Sequence, residues 1–261
     1  MDAPAAGIAE DDPSYVGALA RGISVIRAFD AGRESMTLAE VAKATALPRA
    51  TVRRSLLTLQ ALGYVASDGK QFRLTPRILS LGYAYLASTP MARVLQPALE
   101  TVSERTRESC SASTLDGPEI VYVARAATKR IMSVGLAVGS RLPAYCTSMG
   151  RVLLAAETPA RAREILASSD RKAMSPRTVT DLDALMRILD DVRRQGYSLV
   201  DEELEVGLRS VAVPIVSSGG HVMAAMNVSA QAGRVSCDEL LHSVLPVLLE
   251  QAASVRSSLV G

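Results

Sequence analysis

The chain has 261 residues, of which 48% are hydrophobic and 21% charged, so it can form two domains and is not disordered over most of its length. The net charge is +2, but residues 14–88 hold ten basic and four acidic side chains, whereas residues 89–261 hold 19 of each. Residues 1–13 hold four acidic side chains and no basic one, and we expect a disordered tail there. The basic block is typical of a domain that neutralises phosphates.

Composition also argues against several kinds of protein. Three widely spaced cysteines suit the reducing cytoplasm and form no disulfide framework, and two separated histidines argue against a zinc site. The acidic start contains no signal peptide. The longest uncharged segment, residues 210–233, contains Pro214 and a Ser-Ser-Gly-Gly turn, which favours a strand hairpin over a membrane helix. We therefore expect a cytoplasmic protein with no metal, no cofactor and no membrane contact.

The basic block begins with three predicted helices. Apolar residues at three- and four-residue steps predict a helix over residues 16–31. Thr37-Leu38-Ala39-Glu40 is a capping-box sequence, which predicts a short helix to about residue 44. Pro48 begins another helix, whose apolar stripe stops at Gly63. Two short helices around a tight turn predict a helix-turn-helix, whose second helix enters the major groove of DNA.

A hairpin follows these helices. Asp68-Gly69 is a strong turn signal between predicted strands at 64–66 and 71–74, and this hairpin is the wing of a winged helix-turn-helix. On the second helix of the motif, Arg49 and Arg53 are four residues apart and share a face, although a solvated basic face is the alternative. One such helix reads only a half-site, so we expect a homodimer. The candidate DNA contacts are Thr37, Arg49, Ala50, Thr51, Arg53, Arg54, Ser55, Lys70 and Arg73.

Four segments are expected along the chain: a tail over 1–13, the winged helix-turn-helix over 14–75, a linker helix over 76–88 and a second domain over 89–261. The linker helix is strongly apolar, which favours packing against its own wing domain or against another subunit. The second domain is predicted to be α+β, with helices around an antiparallel sheet. Its strands are predicted near 111–115, 120–126, 131–137, 198–201, 210–216 and 222–229. Its helices are predicted around 94–102, over 148–156, 160–167 and 182–195, the last opened by Thr180, and from a capping box at Ser236-Cys237-Asp238-Glu239.

Three separated blocks of sequence resemble the IclR family of bacterial transcription regulators. The first comprises Leu38 to Ala42, Leu47 to Leu56 and Leu62 to Val65 of the helix-turn-helix. The others are Gly139 to Pro143 with Ser148 to Ala155, and Asp201 to Glu203 with Gly207 to Ile215. The resemblance implies a GAF-like effector-binding domain with a central antiparallel sheet, and assembly into dimers or tetramers. This sequence departs from the family pattern in having Arg151 where Lys is usual and Ser210, which alters the pocket chemistry, where Cys is frequent.

Within the family, residues 130–134, 143–150 and 207–214 look most similar to the branch that controls aromatic-acid catabolism by the β-ketoadipate route. That resemblance implies a small aromatic or dicarboxylic acid effector, namely protocatechuate, 4-hydroxybenzoate or β-ketoadipate. Arg209 and Arg130 are candidate carboxylate partners, although outward-facing strand arginines are the alternative. The expected effector-binding residues are Ile131, Val134, Tyr145, Ser148, Met149, Arg209, Ser210, Asn227 and Ser229.

Alternative functions stay open at this level. A regulator of the same family could respond to glyoxylate or pyruvate, and an activator would also contact RNA polymerase. An enzyme with an accessory DNA-binding domain would use Cys146, Ser148 and nearby glutamates, but the sequence contains no nucleophile elbow or phosphate loop, and neither histidine belongs to a catalytic motif. A further alternative makes Cys146 a redox switch inside a regulator, but the sequence shows no evident basic neighbour and no resolving cysteine for it. We therefore expect a DNA-binding regulator and not an enzyme.

Overall fold

A computed structural model describes residues 9–30, 32–88, 91–127 and 136–259, with the side chains of 86–88 left out. The chain forms two compact units that divide between residues 88 and 89. Among the helices that the structure describes, none combines the length and the apolar character needed to cross a lipid bilayer.

The first unit has four helices and a small antiparallel sheet in the order β1-β3-β2. A single 3₁₀ turn, Pro76–Ile78, precedes its last helix. Strand β1 was not predicted from the sequence, because it is only two residues long and is defined by its pairing with β3. The elements are α1 (Gly17–Arg27), β1 (Met36–Thr37), α2 (Leu38–Thr45), α3 (Arg49–Ala61), β2 (Val65–Ser67), β3 (Gln71–Leu74) and α4 (Leu79–Ser88).

Local signals place α2 and α3 as the sequence predicts. The Thr37 hydroxyl accepts a hydrogen bond from the Glu40 amide, and the Glu40 carboxylate accepts one from the Thr37 amide, so the predicted capping box is present. Ala46 then adopts a left-handed conformation with φ of 54°, which reverses the chain between the two helices. The apolar stripe of α3 is buried with residues of α1 and α2, so α3 turns its other face to solvent.

In its described residues, the second unit is a six-stranded antiparallel sheet in the order β6-β5-β4-β9-β8-β7, with helices on both faces. This arrangement agrees with the predicted α+β class. The strands are β4 (Ser109–Asp116), β5 (Glu119–Ala126), β6 (Arg141–Pro143), β7 (Ser198–Asp201), β8 (Leu208–Val216) and β9 (Val222–Gln231). The helices are α5 (Met91–Thr106), α6 (Ser148–Ala156), α7 (Pro159–Ser168), α8 (Leu182–Gln195), α9 (Cys237–Glu239) and α10 (Leu245–Ser254).

The two faces of this sheet have different chemistry. On one face, alternate residues such as Val211, Met226 and Val228 form an apolar core with α5 and α10. On the other face, which α6 covers, Ala212 and Ala225 pack into a second apolar core. The intervening positions on this face are polar, and they include Ser111, Ser210 and Asn227, which are buried, and Ser229, which is half-buried.

Three sequence predictions in this domain need comment. Asp181, and not Thr180, caps α8, because the Asp181 carboxylate accepts the hydrogen bond from the Ala184 amide. The predicted strand at 131–137 falls mainly on residues outside the described ranges, and the short edge strand β6 was not predicted. The last helix begins at the predicted Ser236 cap but is interrupted by a π-helical turn, Leu240–Val244, before Pro246, which has no amide hydrogen for a regular helical ladder.

Close packing at the start of α6 requires a glycine. A β-carbon at position 150 would lie 2.2 Å from the carbonyl oxygen of Ala144, which is backbone and cannot rotate away. We expect Gly150→Ala to lower the free energy of unfolding by about 3 kcal/mol, measured by urea denaturation. Gly22→Ala in α1 is the control, because nothing lies within 4 Å of its β-carbon and the change should stabilise by about 0.5–1 kcal/mol. Equal effects of the two substitutions would contradict this account of the α6 packing.

Candidate functional site

The exposed face of α3 carries positive charge. Val52, Leu56 and Leu59 hold the helix against its core, which leaves the Arg49, Arg53 and Arg54 side chains exposed. None of these three guanidinium groups forms an ion pair with any other residue that the structure describes. Ala50 is also exposed, and Thr51 and Ser55 are half-buried beside them.

The wing is a tight hairpin with its own hydrogen bonds. The Asp68 carboxylate accepts hydrogen bonds of 2.9 and 2.8 Å from the amides of Lys70 and Gln71, and these amides lower the pKa of Asp68. Gly69 has φ of 93°, a conformation that disfavours a side chain. Lys70 and Arg73 are exposed on this hairpin. The Thr37 hydroxyl, by contrast, is already engaged with Glu40 at the start of α2.

A cavity of about 470 Å³ lies in the second unit between the polar sheet face, the start of α6 and the loop before β8. This volume is in the range of small-molecule sites. Five residues expected from the sequence line it: Ser148, Met149, Ser210, Asn227 and Ser229. Its lining also includes Glu108, Ser111, Tyr122, Arg125, Cys146, Glu205 and Arg234.

Two buried polar atoms in the cavity wall have no hydrogen-bond partner among the residues that the structure describes. They are the Ser148 hydroxyl oxygen, in a side chain only 1% exposed, and the Asn227 amide oxygen Oδ1, in one only 4% exposed. The Asn227 amide nitrogen donates a 2.9 Å hydrogen bond to the Ser229 hydroxyl, so Oδ1 is the free end of the amide. A buried polar group without a partner costs about 1–3 kcal/mol, a cost that a bound ligand removes.

The first turn of α6 opens on the same cavity. The Thr147 hydroxyl caps the helix by accepting from the Gly150 amide, and Ser148 and Met149 then begin the helix in the cavity wall. The amides of a first helical turn have no intrahelical acceptor and lie at the positive end of the helix dipole. This end of the cavity therefore favours an electron-rich group on a ligand.

Arg125 on β5 is a cavity cation that the sequence reasoning missed. Its backbone pairs with Ser111 of β4, and Ser111 pairs in turn with Asn227 of β9, which places the three residues in one row across the sheet. Arg125 is half-buried and has no acidic partner among the residues that the structure describes. The other lining arginine, Arg234, is bound to the Glu108 carboxylate at 2.7 Å. Arg125 belongs to no sequence motif, so its position in the cavity wall is evident only from the strand register.

The remaining expected effector residues lie elsewhere. The Tyr145 hydroxyl donates a 2.6 Å hydrogen bond to the Lys172 carbonyl, and burial raises the pKa of Tyr145 to about 12. The Arg209 guanidinium is bound to the Asp201 carboxylate and donates to two backbone carbonyls at 3.0 and 3.1 Å, so it is not free for a ligand carboxylate. Neither residue lines the cavity. Arg130, Ile131 and Val134 fall outside the described residues.

A buried ion pair connects two walls of the cavity. The Arg151 guanidinium of α6 donates two hydrogen bonds of 2.7 Å to the Glu203 carboxylate, and its Nε donates to the Tyr145 carbonyl at 2.9 Å. Glu203 also accepts a 2.9 Å hydrogen bond from the Val179 amide. Arg151 is 2% and Glu203 is 8% exposed. The pair therefore holds the loop at 202–207, which supplies Leu204 to the cavity, against the first turns of α6.

The residues that the enzyme alternative would use lie in different environments. Burial raises the pKa of the Cys146 thiol to about 11, which makes it a poor nucleophile near pH 7. Neither His221 nor His242 lines the cavity, and Glu203 is committed to Arg151. Within the described ranges, no group of histidine, cysteine and acidic side chains is arranged to hold a metal ion.

Comparison with known protein domains identifies both units. The IclR helix-turn-helix domain matches residues 18–69, and the domain described as bacterial transcriptional regulator IclR C-terminal matches residues 83–257. This chain belongs to the IclR family. It is therefore a DNA-binding transcriptional regulator with a separate effector-binding domain, and not an enzyme. The predicted family and fold class are confirmed.

Three relatives of this IclR protein are informative. The Pca regulon regulatory protein of Pseudomonas putida is 48% identical, over 96% of this chain and 86% of the relative. The p-hydroxybenzoate hydroxylase transcriptional activator of Acinetobacter baylyi is 35% identical, over 93% of this chain and 92% of the relative. A crystal structure of an IclR homolog from Microbacterium hydrocarbonoxydans, complexed with 4-hydroxybenzoate, has a TM-score of 0.77 at 27% identity and covers 92% of this chain and 97% of that one.

The buried ion pair of this IclR protein can be tested by removing one partner. We expect Glu203→Ala to cost about 3–5 kcal/mol of unfolding free energy, because it leaves the Arg151 charge buried and unpaired. Replacing both residues, as Arg151→Met with Glu203→Leu, should recover much of that loss in denaturant titrations. Glu164→Ala breaks an exposed pair with Arg161 and should change stability by no more than about 0.5 kcal/mol. A Glu203→Ala variant as stable as that control would refute the role given to the pair.

Proposed function

We propose that this regulator binds operator DNA through α3 and the wing, and that a small aromatic acid in the cavity changes this binding and so controls aromatic-acid catabolism genes. The observation that carries the proposal is a cavity whose Arg125 cation and two buried polar atoms all lack partners among the described residues. The names of the two relatives and the 4-hydroxybenzoate complex support an aromatic acid as the effector.

The chemistry of the cavity suits an acid with a short apolar body. Arg125 provides a positive charge for the carboxylate, which it can bind through two parallel hydrogen bonds. The Leu142, Met149 and Leu204 side chains supply apolar contact for a ring. β-Ketoadipate, the dicarboxylic candidate, would use the same carboxylate site. The effector acts on DNA binding only if its affinity differs between two states of the regulator.

On the DNA side, the proposed contacts are the exposed side chains of α3 and the wing. Arg49, Arg53 and Arg54 lie free on the face of α3 that turns away from the core, and Arg can pair with phosphate or with the edge of guanine. Lys70 and Arg73 can contact the backbone beside the groove. The Thr37 hydroxyl is used in the helix cap, so we propose that this residue contacts DNA through its position at the start of α2.

We further propose a homodimer. Leu79 and Tyr83, one turn apart on α4, are 73% and 69% exposed, and Leu19 on α1 is 63% exposed. Neighbouring exposed apolar side chains, such as Leu79 and Tyr83 on one helix, are typical of an interface with a partner when they form a contiguous patch. A second copy of the chain would provide the second reading helix that a two-part operator needs. We also propose that such dimers pair into tetramers, and that the protein contacts RNA polymerase where it activates transcription.

The DNA contacts can be tested by salt dependence. We expect the double variant Arg49→Ala, Arg53→Ala to bind operator DNA at least tenfold more weakly. The slope of log affinity against log salt concentration should fall by about 2 if both residues contact phosphates, because each phosphate contact adds about 0.9. Fluorescence anisotropy at several salt concentrations measures both quantities. Arg187→Ala, an exposed arginine of α8, is the control. Unchanged affinity and slope in the double variant would refute the assignment of α3.

The effector can be tested by thermal shift. An acid at about 100 times its dissociation constant should add roughly 2.7 kcal/mol of stability, seen as a Tm several degrees higher. We expect 4-hydroxybenzoate, protocatechuate or β-ketoadipate to raise the Tm, and glyoxylate and pyruvate to have no effect. Arg125→Met should abolish the shift, whereas Arg141→Met, which removes two ion pairs of an exposed arginine on β6, should preserve it. Stabilisation by glyoxylate or pyruvate alone would overturn the aromatic-acid proposal.

A further inference from the structure

Three residues that line the cavity lie in one row across the sheet. Arg125, Ser111 and Asn227 are direct register partners on the adjacent strands β5, β4 and β9, and all three line the cavity. Partners on neighbouring antiparallel strands have α-carbons about 4.5–5.5 Å apart, so about 10 Å separates the Arg125 and Asn227 backbones. Both side chains lie on the same face of the sheet and line the same cavity, so a ring with polar groups at opposite ends can contact both.

The Asn227 end of the row requires a hydrogen-bond donor. Its amide nitrogen donates to the Ser229 hydroxyl at 2.9 Å, so the buried Oδ1 remains an acceptor with no donor in the described part of the chain. A carboxylate at this position would bring two acceptors together and be repelled. An O–H group on a ligand can donate to Oδ1 and so satisfy this acceptor.

We propose that Asn227 is a specificity-determining residue that selects acids carrying a hydroxyl group at the end remote from the carboxylate. This inference rests on the proposed function, because it assumes that an acid occupies the cavity with its carboxylate at Arg125. It goes further in assigning a role to one atom, Asn227 Oδ1, and in ranking ligands of equal size by their hydrogen-bonding groups. A site that hydrogen-bonds a ligand hydroxyl discriminates against the analogue that lacks it, because its own buried polar group is then left unpaired.

Pairs of ligands with the same shape provide the test. Titration calorimetry on the full-length wild-type protein compares 4-hydroxybenzoate with 4-methylbenzoate, which has a methyl group in place of the hydroxyl. We expect the hydroxyl compound to bind at least tenfold more tightly. A second pair, 4-aminobenzoate and 4-methoxybenzoate, separates donor from acceptor, and the amino compound should bind more tightly because only it has a hydrogen to donate to Oδ1.

A variant tests the residue itself. Asn227→Leu keeps a similar side-chain volume and removes the acceptor, so 4-hydroxybenzoate and 4-methylbenzoate should bind this variant within about threefold of each other. Ser198→Ala is the matched control and should retain the wild-type preference, because it removes a buried hydroxyl that has no partner among the described residues and lies on β7 outside the cavity. Circular dichroism and thermal denaturation check that each variant folds. If Asn227→Leu does not fold, the two wild-type ligand pairs decide the question alone.

The outcomes separate this inference from the proposed function. Equal binding of hydroxy and methyl compounds to the wild type would overturn the role of Asn227 and leave the aromatic-acid regulator standing. A preference that persists in Asn227→Leu would also overturn it, because another group would then read the hydroxyl. If neither these four ring acids nor protocatechuate or β-ketoadipate bind at all, both proposals fail together.

Discussion

The effector-binding domain depends on one buried ion pair. Arg151 and Glu203 are 52 positions apart, yet two parallel hydrogen bonds join α6 to the loop before β8. Removing two charges from water is unfavourable, and it is offset here by Coulomb attraction and by additional hydrogen bonds to the Tyr145 carbonyl and the Val179 amide. Because the loop and the first turn of α6 both line the cavity, the same contact determines the shape of the space that a ligand enters.

Two further constraints keep that space polar and open. Gly150 lets α6 approach the Ala144 backbone so closely that no β-carbon fits, which holds Ser148 and Met149 at the cavity. The sheet face beneath carries serine and asparagine at alternate positions, where an apolar core would otherwise fill the gap. The domain therefore holds unpaired polar atoms in its interior, and their unfavourable free energy in the empty protein becomes favourable binding free energy when a ligand pairs with them.

The two units use charge in opposite ways. On α3, guanidinium groups are exposed and free of acidic partners among the described residues, which suits a long polyanion whose phosphates are reached through solvent. In the described cavity wall of the second unit, Glu108 and Arg234 are paired with each other, whereas Arg125 and Glu205 have no ion-pair partner among the described residues. This division agrees with the charge pattern of the sequence, where the excess of basic residues is confined to the first block.

The sequence by itself determined the family, the helix-turn-helix and the α+β class, because these depend on signals that are local in the chain. The capping box at Thr37, the Asp68-Gly69 turn and the apolar stripes all act within a few residues. The prediction failed where two neighbouring residues could each cap the same helix: Asp181, and not Thr180, caps α8.

Only the tertiary structure decided which side chains line the cavity. It places Arg125 in the cavity wall and excludes Arg209 and Tyr145. The sequence contains the alternating polar residues of β9, but alternation alone cannot say whether a polar face meets water or a cavity. Strand register places Arg125 beside Ser111 and Asn227, and pairing with Asp201 commits Arg209 elsewhere. Such partners lie far apart in sequence, so which side chain stays free is a property of the folded chain.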